Sequence, residues 1–189
     1  MDSKRLRIAM QKSGRLSQDS QELLKSCGFK INLREDRLIA HVENMPIDIL
    51  RVRDDDIPGF VDSNASDIGI VGENGYIEYI LENPEHDLEI MAKLKFAACR
   101  LSIAAAHDSE IKTVADLAGK TIATSYPETL RDFLKKHQVK ARILVMHGSV
   151  ELAPKIAIAD AICDLVSTGT TLKENGLVEL EVILESEAV

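Results

Sequence analysis

Asp160-Ala-Ile-Cys-Asp164-Leu-Val-Ser167-Thr168-Gly169-Thr170-Thr171-Leu-Lys-Glu-Asn-Gly176-Leu177 sets two aspartates, four hydroxyls and a turn glycine between apolar segments. Ile162, Leu165 and Val166 suit the end of a buried strand. Thr170 to Asn175 can form a short helix, stopped by Gly176 in the left-handed conformation that glycine favours. The hydroxyls then stand where a strand hands over to a helix. Free backbone N–H groups and the positive end of the helix dipole attract anions there, and Gly169 lets the backbone come close to an oxyanion. A Ser/Thr-capped helix after a core strand is the plainer alternative. The acids favour the ligand reading: Asp164 can accept hydrogen bonds from a sugar diol or hold hydrated magnesium, which takes one or two carboxylates beside substrate phosphates. The stretch therefore points to a phosphorylated sugar. Gly69, Gly72 and Gly75 are wrongly spaced for a Walker loop or a G-x-G-x-x-G turn, so two commoner nucleotide folds are disfavoured.

Outward from this loop, strands alternate with helices. Leu6 to Met10 reads as a strand, followed by the polar turn Gln11-Lys12-Ser13-Gly14-Arg15-Leu16 and a helix capped by Ser17 that ends at Gly28. In open α/β sheets ligands bind beyond the carboxyl ends of strands, which singles out Lys12, Ser13 and Arg15; a solvated turn is the alternative. Arg34–Ala40 and Ile47–Val52 read as strands, with Arg51 and Arg53 on one face of the second by period-two alternation and Arg37 in the first. Asp54-Asp55-Asp56 before Pro58 fits helix-start chemistry better than a metal cluster. Ser66 to Asn74 is a strand running into a glycine turn, and its glycines allow close ligand approach or tight packing equally.

Asn83 to Asp87 is a polar break, after which the pattern restarts with strands near Met91–Phe96 and Arg100–Ala105, so a second lobe is expected from about residue 91. Thr113 caps a short helix, Lys120–Thr124 is a strand, Pro127 opens a helix to about His137, Arg142–Met146 is a strand, and Gly148 to Glu151 cap a further helix. Leu180–Leu184 is the last strand. The expected organisation is lobe I over 1–90, rejoined by 180–189, and lobe II over 91–179 with the loop 160–176. Such alternation implies two α/β lobes with helices on both sheet faces and a ligand cleft between them.

With 189 residues, 45% apolar and 29% charged, the chain can bury a real core, and its net charge of −8 disfavours nonspecific nucleic-acid binding. Seven of its ten arginines fall within the first 53 residues, where a basic wall could meet an anionic substrate. Cys27, Cys99 and Cys163 form neither a disulfide framework nor a C-x-x-C site, which fits a reducing cytoplasm. No apolar run has signal-peptide or membrane-span length, so neither export nor a membrane is expected. The five histidines lack metal spacing and the serines lack a nucleophile elbow.

Three segments, Gln11-Lys-Ser-Gly-Arg-Leu16, Asp48-Ile-Leu-Arg-Val-Arg-Asp-Asp-Asp-Ile-Pro58 and Ala159 to Leu172, together with Gly148-Ser-Val-Glu-Leu-Ala-Pro154, resemble the ATP phosphoribosyltransferase family, which opens histidine biosynthesis. The resemblance covers nearly all of residues 5–189. It implies periplasmic-binding-protein type II-like topology with a central active-site cleft, and pentosyl transfer from phosphoribosyl pyrophosphate to ATP. It further implies Mg2+ carried by substrate phosphates, with protein ligands unassigned, and at least a dimer. By motif match Ser167, Thr168, Gly169, Thr170 and Thr171 would hold the 5′-phosphate, with Glu151, Asp160 and Asp164 near the ribose. Arg15 and Arg37 match arginines at the phosphates and are the catalytic candidates. Lys12, Arg53, Asp67, Gly72, Glu73, Arg100 and Tyr126 are candidates for the ATP side. Family members often carry Gly at Ala157. Related chains continue beyond the position of Val189, and the first turn resembles the long, regulated form, so a shortened catalytic core without histidine feedback is expected. A non-catalytic two-lobed sensor or receptor is the rival class, because the same architecture serves both.

Overall fold

The computed structural model describes residues 5–32 and 37–189. Two compact units divide them: the described residues up to Ala97 together with Glu187–Val189, and Ala98–Ser186.

The first unit contains β1 (Leu6–Gln11), α1 (Arg15–Ser26), β2 (Ile39–His41), β3 (Ile47–Val52), α2 (Ile57–Asp62), β4 (Ile68–Ile70) and α3 (Glu73–Glu82). Its sheet runs β2-β3-β1-β4, with β1 parallel to β3 and β4, and β2 antiparallel to β3. Alternation along β1 sends Ile8 and Met10 to one face, against Leu24 of α1, and Ala9 to the other, against Ile57 of α2. Both faces are thus buried, as a mostly parallel sheet requires. Helix α1 starts earlier than its serine suggested. Gly14, at φ +95°, is its N-cap, and Ser17 lies buried within the first turns.

Arg34, at the start of the expected Arg34–Ala40 strand, lies outside the described residues; the strand observed is Ile39–His41. Residues 91–96, expected as a strand, are irregular. They are held instead by single bonds to the returning chain, Leu94 N–H to Ala188 O at 2.9 Å and Ala188 N–H to Phe96 O at 3.0 Å.

The second unit contains β5 (Cys99–Ala106), β6 (Thr121–Thr124), α4 (Pro127–Lys136), β7 (Arg142–Val145), β8 (Ala161–Val166), α5 (Thr170–Glu174) and β9 (Leu177–Ser186). The sheet order is β7-β6-β8-β5-β9; β6 pairs parallel with β7 and β8, and β5 antiparallel with β8 and β9. One face packs Leu101, Ile103, Ile122 and Cys163 against Leu130 and Leu134 of α4. The other packs Ala104, Ala123, Ile162 and Val166 against Val150, Ala153 and Leu172. Gly148 to Glu151 lead only into a 3-10 turn, Val150–Leu152. Strand β9 is longer than expected and pairs with β5 along its length, so only Glu187–Val189, rather than 180–189, stand with the first unit. Among the described residues no helix is long and apolar enough to cross a membrane.

Candidate functional site

Strand β8 ends at Val166, directly before the hydroxyl run. Val166 is buried, Ser167, Thr168, Thr170 and Thr171 are exposed, and Gly169 turns the chain into α5 at φ +79°. A Cβ on Gly169 would meet only Val166 Cγ1, at 3.9 Å, so the glycine serves the backbone angle rather than a steric need. Within the turn the Thr168 and Thr170 hydroxyls lie 3.0 Å apart, and the Thr170 N–H approaches Thr168 Oγ1 at 3.4 Å. Gly176, at φ +69°, closes α5 as expected.

Asp164 lies on the same face of β8 as Ile162 and Val166, under the turn that carries Glu151. Burial pushes its carboxyl above the usual range; the Leu165 N–H bond, at 2.8 Å to Oδ1, opposes that, and the nearby negative Glu151 adds to it. Two carboxylates in one another's field, beside hydroxyls and a glycine turn, make an arrangement that a sugar diol or a cation would relieve. They are also the number of carboxylates used by magnesium that is carried chiefly on substrate phosphates. Among the described residues no three His, Cys, Asp or Glu side chains group as a metal centre.

Asp160 does not join this group. Strand β8 separates it from Ser167, and seven residues of extended chain span roughly 20 Å. Its Oδ2 accepts the Thr121 N–H at 2.7 Å, while its own N–H donates to Thr121 O at 2.8 Å, which ties β8 to β6 at their amino ends. Tyr126 is likewise elsewhere: its ring belongs to the core on the α4 face, opposite Asp164, and its N–H donates to Thr124 Oγ1 at 2.9 Å.

Arg100, expected on the ATP side, stands beside the loop because β5 runs antiparallel to β8 and places it opposite Val166. It donates through Nε and Nη2 to both oxygens of Glu179, at 2.5 and 2.6 Å, and through Nη1 to Ser167 O at 3.3 Å. Buried Ser102 donates to Glu179 Oε1 at 2.7 Å. The Arg100 guanidinium, bonded to it, holds the Glu179 carboxyl below its usual range, outweighing a burial effect of opposite sign. Neither Ser102 nor Glu179 stood out in the sequence, where Glu179, Glu181 and Glu185 look alike on one amphipathic strand.

In the first unit a pocket of about 450 Å³ opens at the carboxyl ends of β1 and β3, lined by Gln11, Lys12, Ser13, Arg51, Arg53 and Asp54 among others. Arg51 and Arg53 both line this pocket, but Arg51 is buried. It points inward with Ile47 and Ile49, and its guanidinium donates to Lys12 O at 2.8 Å and Arg37 O at 3.2 Å. Arg53 lies past the strand end and is exposed, as are Lys12, Arg15 and Arg37. Asp67 is at the amino end of β4, away from this pocket, where its Oδ2 accepts the Arg7 N–H at 2.8 Å. Gly72 and Glu73 follow β4; Gly72 bridges to Ala188, and the Glu73 carboxylate pairs with Lys93 at 2.9 Å.

Comparison with solved structures gives this geometry a context. The chain is similar to a chain of the ATP phosphoribosyl transferase (HisG:HisZ) complex from Thermotoga maritima, with TM-score 0.80 and 28% identity over 97% of this chain and 85% of that one. It is similar in fold to the alkanesulfonate-binding protein SsuA from Xanthomonas axonopodis pv. citri (TM-score 0.57, 16% identity, 96% of this chain and 62% of that one). The arginine-bound truncated ArgBP from T. maritima shares the fold too (0.58, 17%, 98% and 85%). The expected periplasmic-binding-protein type II-like architecture is therefore present. The family model HisG, ATP phosphoribosyltransferase, matches residues 53–189, which include the whole hydroxyl loop and Asp164, and on that match the chain belongs to the ATP phosphoribosyltransferase family.

Proposed function

We propose that the protein transfers the 5-phosphoribosyl group of phosphoribosyl pyrophosphate to N1 of ATP, giving N1-(5-phosphoribosyl)-ATP and pyrophosphate at the start of histidine biosynthesis. The observation that carries this reading is the Asp164–Glu151 carboxylate pair beside the Ser167–Thr171 turn, in a chain of this family. The turn would bind the 5′-phosphate through hydroxyls and backbone N–H groups, and the carboxylates would accept hydrogen bonds from the ribose diol. Lys12 and Arg53 on the first unit's pocket, with Arg15 and Arg37, would supply positive charge for the triphosphate and the departing pyrophosphate.

In the reaction the N1 lone pair forms the new C–N bond as the anomeric C–O bond breaks and its electron pair leaves with pyrophosphate. Neutral N1 needs no strong base, so the chain's residues contribute placement and charge stabilisation rather than proton abstraction. Magnesium, held by the substrate phosphates, would neutralise charge on the leaving group. Assembly as at least a dimer and a cytoplasmic setting belong to the same reading. Pyrophosphate release tests it: release only when ATP and phosphoribosyl pyrophosphate are both present is expected, and no release with both would leave a ligand-binding module.

A further inference from the structure

We propose that Glu179, Arg100 and Ser102 act as a positioning clamp for the phosphate-binding turn: Glu179 fixes the Arg100 guanidinium, and Arg100 fixes the Ser167 carbonyl from which the hydroxyl run departs. The inference rests on reading Ser167–Thr171 as the phosphate site. All three residues lie in the second unit, and none need touch substrate.

The register between β5 and β9 shows how Glu179 reaches this role. Ile103 stands opposite Glu181 but Ala104 stands opposite Glu179, so Leu180 is an extra residue in β9. Cross-strand partners share a face, and on β5 Arg100, Ser102 and Ala104 share one. Ile183 is likewise extra, between the partners of Leu101 and Ser102, and after that first inversion the Leu180 bulge returns Glu179 to the face that carries Arg100, Ser102 and, across β8, Asp164. Without it Glu179 would stand opposite Ala105, on the face packed by Ile103 and Leu130. Bulges characteristically re-aim one side chain in this way beside functional sites.

The pair is a two-bond fork between a guanidinium and a carboxylate, with side-chain exposures of 28% and 27%, and a planar fork fixes orientation as well as distance. Ser102, 1% exposed, adds a third bond and sets the carboxylate plane. The remaining Nη1 of Arg100 is thereby aimed at Ser167 O. Glu185 stands directly opposite Arg100 in the register, yet the fork goes to Glu179. It supplies a matched control of the same charge on the same strand.

The test compares Glu179→Gln, Glu185→Gln, Ser102→Ala and the wild type, by calorimetric titration with phosphoribosyl pyrophosphate, by KM for each substrate and by amide exchange. Glu179→Gln is expected to weaken phosphoribosyl pyrophosphate binding roughly tenfold, to leave the KM for ATP within about twofold, and to speed exchange at 167–171. Ser102→Ala, which keeps the fork, should act in the same direction by about two- to threefold. It keeps the question answerable should Glu179→Gln fail to fold. A fork with only a structural role would lower the Tm and leave the two KM values in their original ratio. Unchanged binding in Glu179→Gln and Ser102→Ala beside a wild type that binds overturns the clamp alone, as does an equal loss in Glu185→Gln. A wild type that binds no phosphoribosyl pyrophosphate overturns the reading of the turn and the clamp with it.

Discussion

Two anion-suited places occur at the carboxyl ends of strands, one in each unit, and they are built by different means. The turn after β8 uses backbone N–H groups, short hydroxyls and a left-handed glycine within five consecutive residues. The pocket after β1 and β3 uses long cationic side chains from distant segments, and its rim is drawn together by Arg51, which bonds the backbone at both Lys12 and Arg37. A backbone cradle is rigid and carries no net charge of its own. A cationic pocket supplies charge but must be shaped from beneath. Under the proposed reaction the first would give position to a phosphate that stays, and the second would give charge to phosphates whose charge changes.

Substitutions can show whether the two places divide the work in this way. Arg15→Ala should lower turnover by on the order of 10²–10³, the usual loss for one preorganised charge-stabilising donor, with phosphoribosyl pyrophosphate affinity far less affected. Steady-state kinetics at saturation check it, and full turnover would remove Arg15 from the charge-supplying side. Arg51→Ala should destabilise the protein by about 2 kcal/mol, because two partly buried carbonyls lose a charged donor. Chemical denaturation reads that loss, and a stable variant would show that the pocket does not need support from beneath.

Asp164→Asn probes the cradle. Burial raises the Asp164 pKa, so its ionised form costs the ligand-free fold stability at neutral pH, and the cost fades as pH falls through the raised folded value and is gone below the unfolded one. Replacing the acid by its neutral amide should therefore raise the Tm at neutral pH, lose that advantage on acidification, and weaken phosphoribosyl pyrophosphate binding about tenfold. Thermal melts across pH, paired with calorimetry, test both halves. A lower Tm at neutral pH would mean that Asp164 already has a stabilising partner. The smallest effect concerns Ala157, which sits at φ +58° before β8. Left-handed backbone costs a non-glycine residue about 1–2 kcal/mol, and glycine gives part of that back in chain entropy. Ala157→Gly should stabilise by about 0.5–1 kcal/mol in denaturation, with turnover unchanged.

The shape of the turn was legible in the sequence because its signals are local: Gly169 and Gly176 do adopt positive φ, and the apolar Ile162 and Val166 do lie buried at a strand end. The residues around it were harder to read for definite reasons. Asp160 and Asp164 are near in sequence, but a strand lies extended between Asp160 and the turn, so one acid ties amino ends together and the other faces the turn's side. Glu179 was hidden because Glu181 and Glu185 look like it in the sequence, and only the register and the bonds between β5 and β9 single it out. Tyr126 was a candidate only through the family resemblance, and its ring belongs to the core. Arg51 and Arg53, set on one face by a period of two, do line one pocket, but alternation gives no sign that Arg51 is buried there under backbone carbonyls. The fold class followed from alternating elements, whereas the strand expected near residue 91 failed because an apolar run there meets only isolated backbone partners.

The antiparallel pairing of β5 with β8 and β9 also sets an order of assembly. Arg100 precedes Ser167 by 67 residues and Glu179 by 79. On a ribosome, β5 emerges long before either neighbour exists, with both hydrogen-bonding edges bare, and β9 arrives last of all the strands. The turn after β8 can therefore be synthesised complete and still lack its brace, so its final geometry forms only as the last strand docks, and a stalled or clipped chain would expose a sticky central strand.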